Sequence, residues 1–138
     1  MSPNSPLHWG RIVGGAFLLE VLLFAVLIPI GIVYGMPGIA GATDLTVFFT
    51  AVPVGCFVGA YLISRWTLAR VTSRRVLHGA LLGIAATLTY LAICALQPGG
   101  VATAIAGYGA LRFWAFNALR VVGAVVGAAT RPAAAARG

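Results

Sequence analysis

The sequence predicts an all-α polytopic membrane protein, a single-domain four-transmembrane-helix bundle over residues 1–138 with both termini cytoplasmic. Three observations carry that prediction. The first is composition: 61% of the residues are hydrophobic and 8% charged and mean hydropathy is +1.02, whereas soluble domains carry about a quarter charged residues. The second is four apolar runs, at about 12–34, 44–64, 76–96 and 110–129, each close to the roughly 20 residues that cross about 30 Å of hydrocarbon. The third is arginine placement. Arg11 precedes the first run, Arg65, Arg70, Arg74 and Arg75 separate the second from the third, and Arg131 and Arg137 follow the fourth, while the connections at 35–43 and 97–109 hold no basic residue. Basic residues accumulate in short cytoplasmic loops, so this asymmetry sets the topology.

The first run carries an acid, Glu20, among residues that otherwise belong in lipid. A charge at that depth costs at least about 2.5 kcal/mol and normally faces a partner, a cavity or another subunit. The run exceeds the 7–15 apolar residues of a signal peptide and is expected to be a retained span. Pro29 leaves the carbonyl of Ala25 without its helical donor, and Gly35, Met36, Pro37 and Gly38 after Tyr34 form a stop. The second span opens at Thr43 or Asp44, either of which suits a helix N-cap, carries Pro53 before Gly55, and ends near Tyr61 and Trp66. Thr72 and Ser73 are candidate caps for the third span, which stops at Gln97, Pro98, Gly99 and Gly100. Residues 101–109 are small and apolar and either extend the fourth span outward or lie at the outer surface. The fourth span is the most polar, with Arg112, Asn117 and Arg120 beside Phe113 and Trp114.

Two arginines inside a span need partners, and the chain has two acids. Counting about 1.5 Å per residue from the cytoplasmic side, Glu20 lies about 13 Å beyond Arg11 and Arg120 about 16 Å in from Arg131, at nearly the same depth. Arg112 lies about 28 Å in, near Asp44 at the outer interface. Two pairs are therefore expected, Glu20 with Arg120 and Asp44 with Arg112. These are either structural ion pairs that fix helix register or a site in which Glu20 binds a proton or cationic solute, or Arg120 an anionic one. A carboxylate paired with arginine holds its charge, the wrong setting for a proton carrier unless the pair opens.

Glycines spaced by four put both members on one helix face and let backbones approach closely. Gly55 and Gly59, Gly79 and Gly83, and Gly123 and Gly127 all fall in the cytoplasmic halves of their spans. They predict a bundle packed tightly there and wider outside, where Phe48, Phe49, Phe113, Trp114 and Tyr34 collect. The arginines of the middle loop, Arg65, Arg70, Arg74 and Arg75, make the cytoplasmic face one that attracts anionic lipid headgroups, so the net charge of +7 belongs to that face. Nucleic acid is not expected as a partner, since no soluble fold is left to present the charge. Cys56 and Cys94 differ in depth and are read as small buried hydrophobes. His8 and His78, without a further ligand cluster, give no metal or haem site, and no cofactor is expected. No HExxH, GxSxG or CxxC occurs, and serines 2, 5, 64 and 73 lie at or outside the interface, so no nucleophile is nominated and an enzyme is not expected.

Gly14-Gly15-Ala16-Phe17-Leu18-Leu19-Glu20-Val21 resembles the first helix of small multidrug resistance transporters, short four-span proteins with one essential membrane glutamate, and implies a substrate-binding role for Glu20. The strong charge bias and the intramembrane arginines depart from that family's pattern. The stretch 75–83, with 119–127, is similar to small four-span bacterial membrane proteins of no assigned function. Abundant Ala, Gly and Arg without lysine suits a bacterium of high genomic GC, and the expected setting is a bacterial cytoplasmic (inner) membrane. The leading expectation is a non-enzymatic accessory, assembly or lipid-interacting protein, alone, as a homo-oligomer or with a membrane partner. The alternative is a small proton- or ion-coupled transporter or channel using Glu20 and Arg120.

Overall fold

The computed structural model describes residues 6–37 and 44–130. Five helices follow one another: α1 Trp9–Tyr34, α2 Thr46–Thr67, α3 Arg75–Ala95, α4 Gly100–Tyr108 and α5 Ala110–Ala129. No strand occurs among the described residues. All but α4 are long and apolar enough to cross a membrane, and the chain is a multi-pass membrane protein built as a four-helix bundle. The expected spans hold to within three residues at their ends. Thr43, Arg131 and Arg137 lie outside the described residues.

The long helices stand round a ring in the order α1, α2, α5, α3. α5 packs along α2 and α3, α1 packs along the same two, α2 and α3 barely touch, and no backbone contact joins α1 to α5. The cause is glycine on three helices. A side chain on Gly123 would run into the backbone of Phe57, and one on Gly127 into that of Tyr61, which brings α5 against α2. On the other flank a Cβ at Gly79 would meet the Ala124 carbonyl oxygen at 2.6 Å and one at Gly83 the Val121 Cα at 2.5 Å, which brings α3 against α5. Gly59 packs against the side chain of Leu19, with 3.2 Å left for a Cβ, whereas Gly55 has ordinary room, 3.4 Å from Leu23. Gly15 of α1, not among the expected packing positions, is tight against Leu82 of α3.

We call the end bearing Arg11, Arg65, Arg70, Arg74 and Arg75 the basic end. Its core is filled by Ile12, Ala16, Leu19, Ala60, Leu68, Val71 and Leu82, all buried. Ser64 is buried as well, and its hydroxyl donates to the Ala124 carbonyl at 2.7 Å, tying α2 to α5. Neither Thr72 nor Ser73 caps α3. The N-cap position is Arg74, in the left-handed region at φ 50°, and its carbonyl accepts both the His78 backbone N–H at 3.0 Å and a bond to His78 Nδ1 at 2.9 Å. His8 N–H donates to His78 Nε2 at 3.2 Å, so this buried imidazole is a structural bridge between the entry to α1 and the start of α3.

At the far end, 101–109 does not extend α5 as one continuous helix. It forms the separate helix α4, broken from α5 at Gly109, whose φ of 79° favours glycine. No residue of α4 is buried outright; Tyr108 alone turns in among Phe48, Phe49, Phe113 and Phe116, with ring centroids 6.1–6.4 Å away.

Candidate functional site

Because α1 and α5 occupy opposite corners of the ring, a contact between them must cross the core. Glu20 and Arg120 make that crossing, with Arg120 Nη2 3.4 Å from Glu20 Oε2 and both side chains at least nine-tenths buried. The distance exceeds the roughly 2.7–2.9 Å of a charge-assisted hydrogen bond. The two groups are in ionic contact without a shared proton, and neither Glu20 oxygen has a hydrogen-bond partner among the described residues.

Arg120 is held from its own side of the bundle. Its Nη1 donates to Asn117 Oδ1 at 2.8 Å, one turn earlier on α5, while Asn117 Nδ2 donates back to the Phe113 carbonyl at 2.8 Å. Its guanidinium carbon lies 4.2 Å from the centre of the Tyr90 ring on α3, within the range of a cation–π contact. Arg120 Nε has no hydrogen-bond partner. Arginine is thus anchored by two neighbours and lent to Glu20, whereas Glu20 has, among the described residues, the ion pair with Arg120 and no hydrogen bond.

A cavity of about 70 Å³ adjoins the pair, lined by Glu20, Cys56, Tyr90, Asn117 and Arg120 and by a wall of Phe48, Phe113 and Phe116. A second cavity of about 400 Å³ lies toward the far end, between α3 and α4, with Cys94, Gln97 and Thr103 in its lining. Phe24, Met36, Tyr90 and Tyr108 line both. They form the partition between the outer space and the charge pair. Toward the basic end the glycine contacts of α5 close the core.

The second expected pair does not form. The N-cap position of α2 is Leu45 rather than Asp44, but Asp44, one residue earlier, still closes the first turn: its Oδ1 accepts the backbone N–H of Thr46 at 2.8 Å, and hydrogen bonds from Thr46, side chain before backbone, hold its carboxyl below the usual carboxylate range. Arg112 sits over the Phe49 ring at 4.8 Å. Depth alone suggested the pair; the α2 start consumes the acid locally and the neighbouring ring takes the cation.

The four middle-loop arginines have different neighbours. Arg65 donates to the Tyr61 hydroxyl at 3.1 Å and Arg75 Nε to the Val71 carbonyl at 2.9 Å. Arg70 instead borders a groove of about 480 Å³ together with Arg11 and Trp66, and Arg74 and Arg75 border another on α3. Arg11, read from sequence only as a topology signal, donates Nη1 to the Thr67 carbonyl at 3.0 Å and so ties α1 to the end of α2.

Tyr90, Tyr108 and Cys56 were not evident as site residues. A tyrosine hydroxyl in mid-span has the same need for a partner as a charge, and Tyr90, in the outer half of α3, is the position that this signal would have nominated. Among the described residues no group of three His, Cys, Asp or Glu side chains is placed to hold a metal ion. Comparison of the chain with protein-family models, with curated proteins and with solved structures finds no match in any of the three.

Proposed function

We propose that the protein is a small membrane transporter or channel whose solute path runs from the far end of the bundle to Glu20 and Arg120. The observation that carries this reading is a buried carboxylate, both of its oxygens without a hydrogen-bond partner, beside a cavity. A pair serving stability alone is favoured only when further hydrogen bonds satisfy the charges. Here the acid has none, and such an orphan in an otherwise packed core calls for a functional explanation. Arg120 keeps Asn117 and Tyr90 when Glu20 turns away, so the pair opens on the acid's side. The arginine distribution places the basic end in the cytoplasm, in contact with anionic headgroups, and the path therefore faces outward; a bacterial inner membrane is its setting.

The test is solute-driven swelling of proteoliposomes against uncharged solutes graded in size. Uptake above that of empty vesicles is expected for the smallest solutes, with loss in Met36→Trp, which adds bulk to the partition, at unchanged heat resistance. Permeation equal to empty vesicles at every size would remove the transport reading and leave the accessory role.

A further inference from the structure

Resting on the reading above, we infer that the ligand of the Glu20 cavity is a small, uncharged molecule carrying both hydrogen-bond donors and an acceptor, of the amide or urea class. Three features of the site converge on that chemistry. The first is charge. Glu20 and Arg120 already balance each other at 3.4 Å, and the chain's other acid, Asp44, caps the start of α2 at the far end. No other acidic side chain is present to offset a bound cation, and among the described residues none of the remaining arginines lines the cavity, Arg112 lying over Phe49. A charged ligand would therefore leave one uncompensated charge deep in the bundle.

The second feature is the pattern of unpaired atoms. Glu20 Oε1 and Oε2 are acceptors and Arg120 Nε is a donor, all buried and without partners. Their complement is a molecule that donates to the carboxylate and accepts from the guanidinium. An amide or urea does both in one planar unit: its NH₂ hydrogens go to the carboxylate and its carbonyl oxygen takes the Nε–H. Hydrocarbon offers neither, and an ether or ketone offers no donor.

The third feature is size. The cavity measures about 70 Å³, half of the roughly 150 Å³ that accommodates benzene in an engineered protein cavity. Molecules of about four heavy atoms, such as urea or acetamide, are on that scale. Phe48, Phe113 and Phe116 line the cavity, an apolar wall that accepts an uncharged molecule without asking for further hydrogen bonds.

Isosteric pairs test charge at constant shape. Urea and guanidinium, and acetamide and acetate, are presented to proteoliposomes containing the full chain, with uptake followed by stopped-flow light scattering. Wild type should pass urea and acetamide about a hundredfold faster than their ionic isosteres, the ratio set by the cost of an uncompensated charge at that depth. Glu20→Gln, which turns one acceptor into a donor, should lose most of the urea flux while losing less heat resistance than Arg120→Gln, because Arg120 keeps Asn117 and Tyr90. Val54→Ala, on the exposed face of α2 and away from the cavity, should retain both flux and selectivity and serves as the control for handling. Guanidinium or acetate passing as fast as its neutral partner would overturn the ligand class while leaving the solute path in place. Absence of flux for all four solutes would also overturn it. In that case, reactivity of Cys56 toward a small thiol reagent decides the underlying reading: a reactive Cys56 preserves the path, and an inert one removes it.

Discussion

Toward the basic end the bundle is held by backbone meeting backbone, and toward the far end by side chain meeting side chain. Gly79, Gly83, Gly123 and Gly127 let α3 and α2 close on α5 until a methyl group has no room, and Ser64 adds a buried bond across the same seam. Beyond Glu20 the same helices are kept apart by Phe48, Phe113, Phe116 and Tyr108, and a cavity remains between them. One helix pair thus changes its mode of packing within about two turns. The charge pair stands at the change, which shows how a small bundle can be both rigid and hollow: the glycine seam supplies the rigidity that an open site requires at its other end.

The contrast is broken most severely by removing one partner of the charge pair. Arg120→Gln leaves Glu20 without its counter-ion, and stripping one partner from a buried pair costs about 3–5 kcal/mol. Glu20→Gln should cost less, because Arg120 retains Asn117 and Tyr90. Heat resistance in mild detergent should rank wild type above Glu20→Gln above Arg120→Gln; equal losses would mean that the two sides are not anchored differently. Next come the seam glycines. Gly123→Ala or Gly127→Ala forces the α2 and α5 backbones apart and should destabilise by about 1–3 kcal/mol. Gly55→Ala, where a Cβ finds ordinary room, should stay within about 1 kcal/mol of wild type. Ser64→Ala, which deletes one buried bond, should cost about 1 kcal/mol in the same assay.

The smallest effects belong to the far rim. Arg112→Gln should leave stability unchanged, since no ion pair is lost. The Asp44 carboxyl sits lower in the folded protein than its ordinary value because of its bonds from Thr46. Its contribution is therefore complete above the ordinary carboxylate range and disappears only as pH falls through the lowered folded value. Thermal unfolding of wild type and Asp44→Asn should differ by the same small amount at every pH from 5 to 8 and converge in acid. A difference that changes within that interval would contradict the capping role.

Much of this contrast was legible in the sequence, for reasons of depth. Helical rise places Glu20 level with Arg120 whatever the order of the helices, and four-residue glycine spacing marks a packing face on each span. Azimuth is what rise does not encode. Asp44 and Arg112 are level too, yet Asp44 bonds within its own first turn and Arg112 finds a ring. Gly109 reads as one more small residue in a permissive stretch, and only its positive φ divides α4 from α5. Ser64, placed near a span end by depth, is buried because its side chain faces the Ala124 carbonyl of α5, a direction that depth does not give.

Cys56 lines the inner cavity and Cys94 the outer one, so the chain carries its own reporters of access to the charge pair. In oriented vesicles of a Cys94→Ala variant, the small uncharged reagent methyl methanethiosulfonate, added on one side with an impermeant thiol scavenger on the other, should modify Cys56 from the far side and not from the basic side. Met36→Trp, at the partition, should slow the reaction. Modification from the basic side, or none from either side while Cys94 in a Cys56→Ala variant reacts freely, would contradict a path that leads from the far end to Glu20.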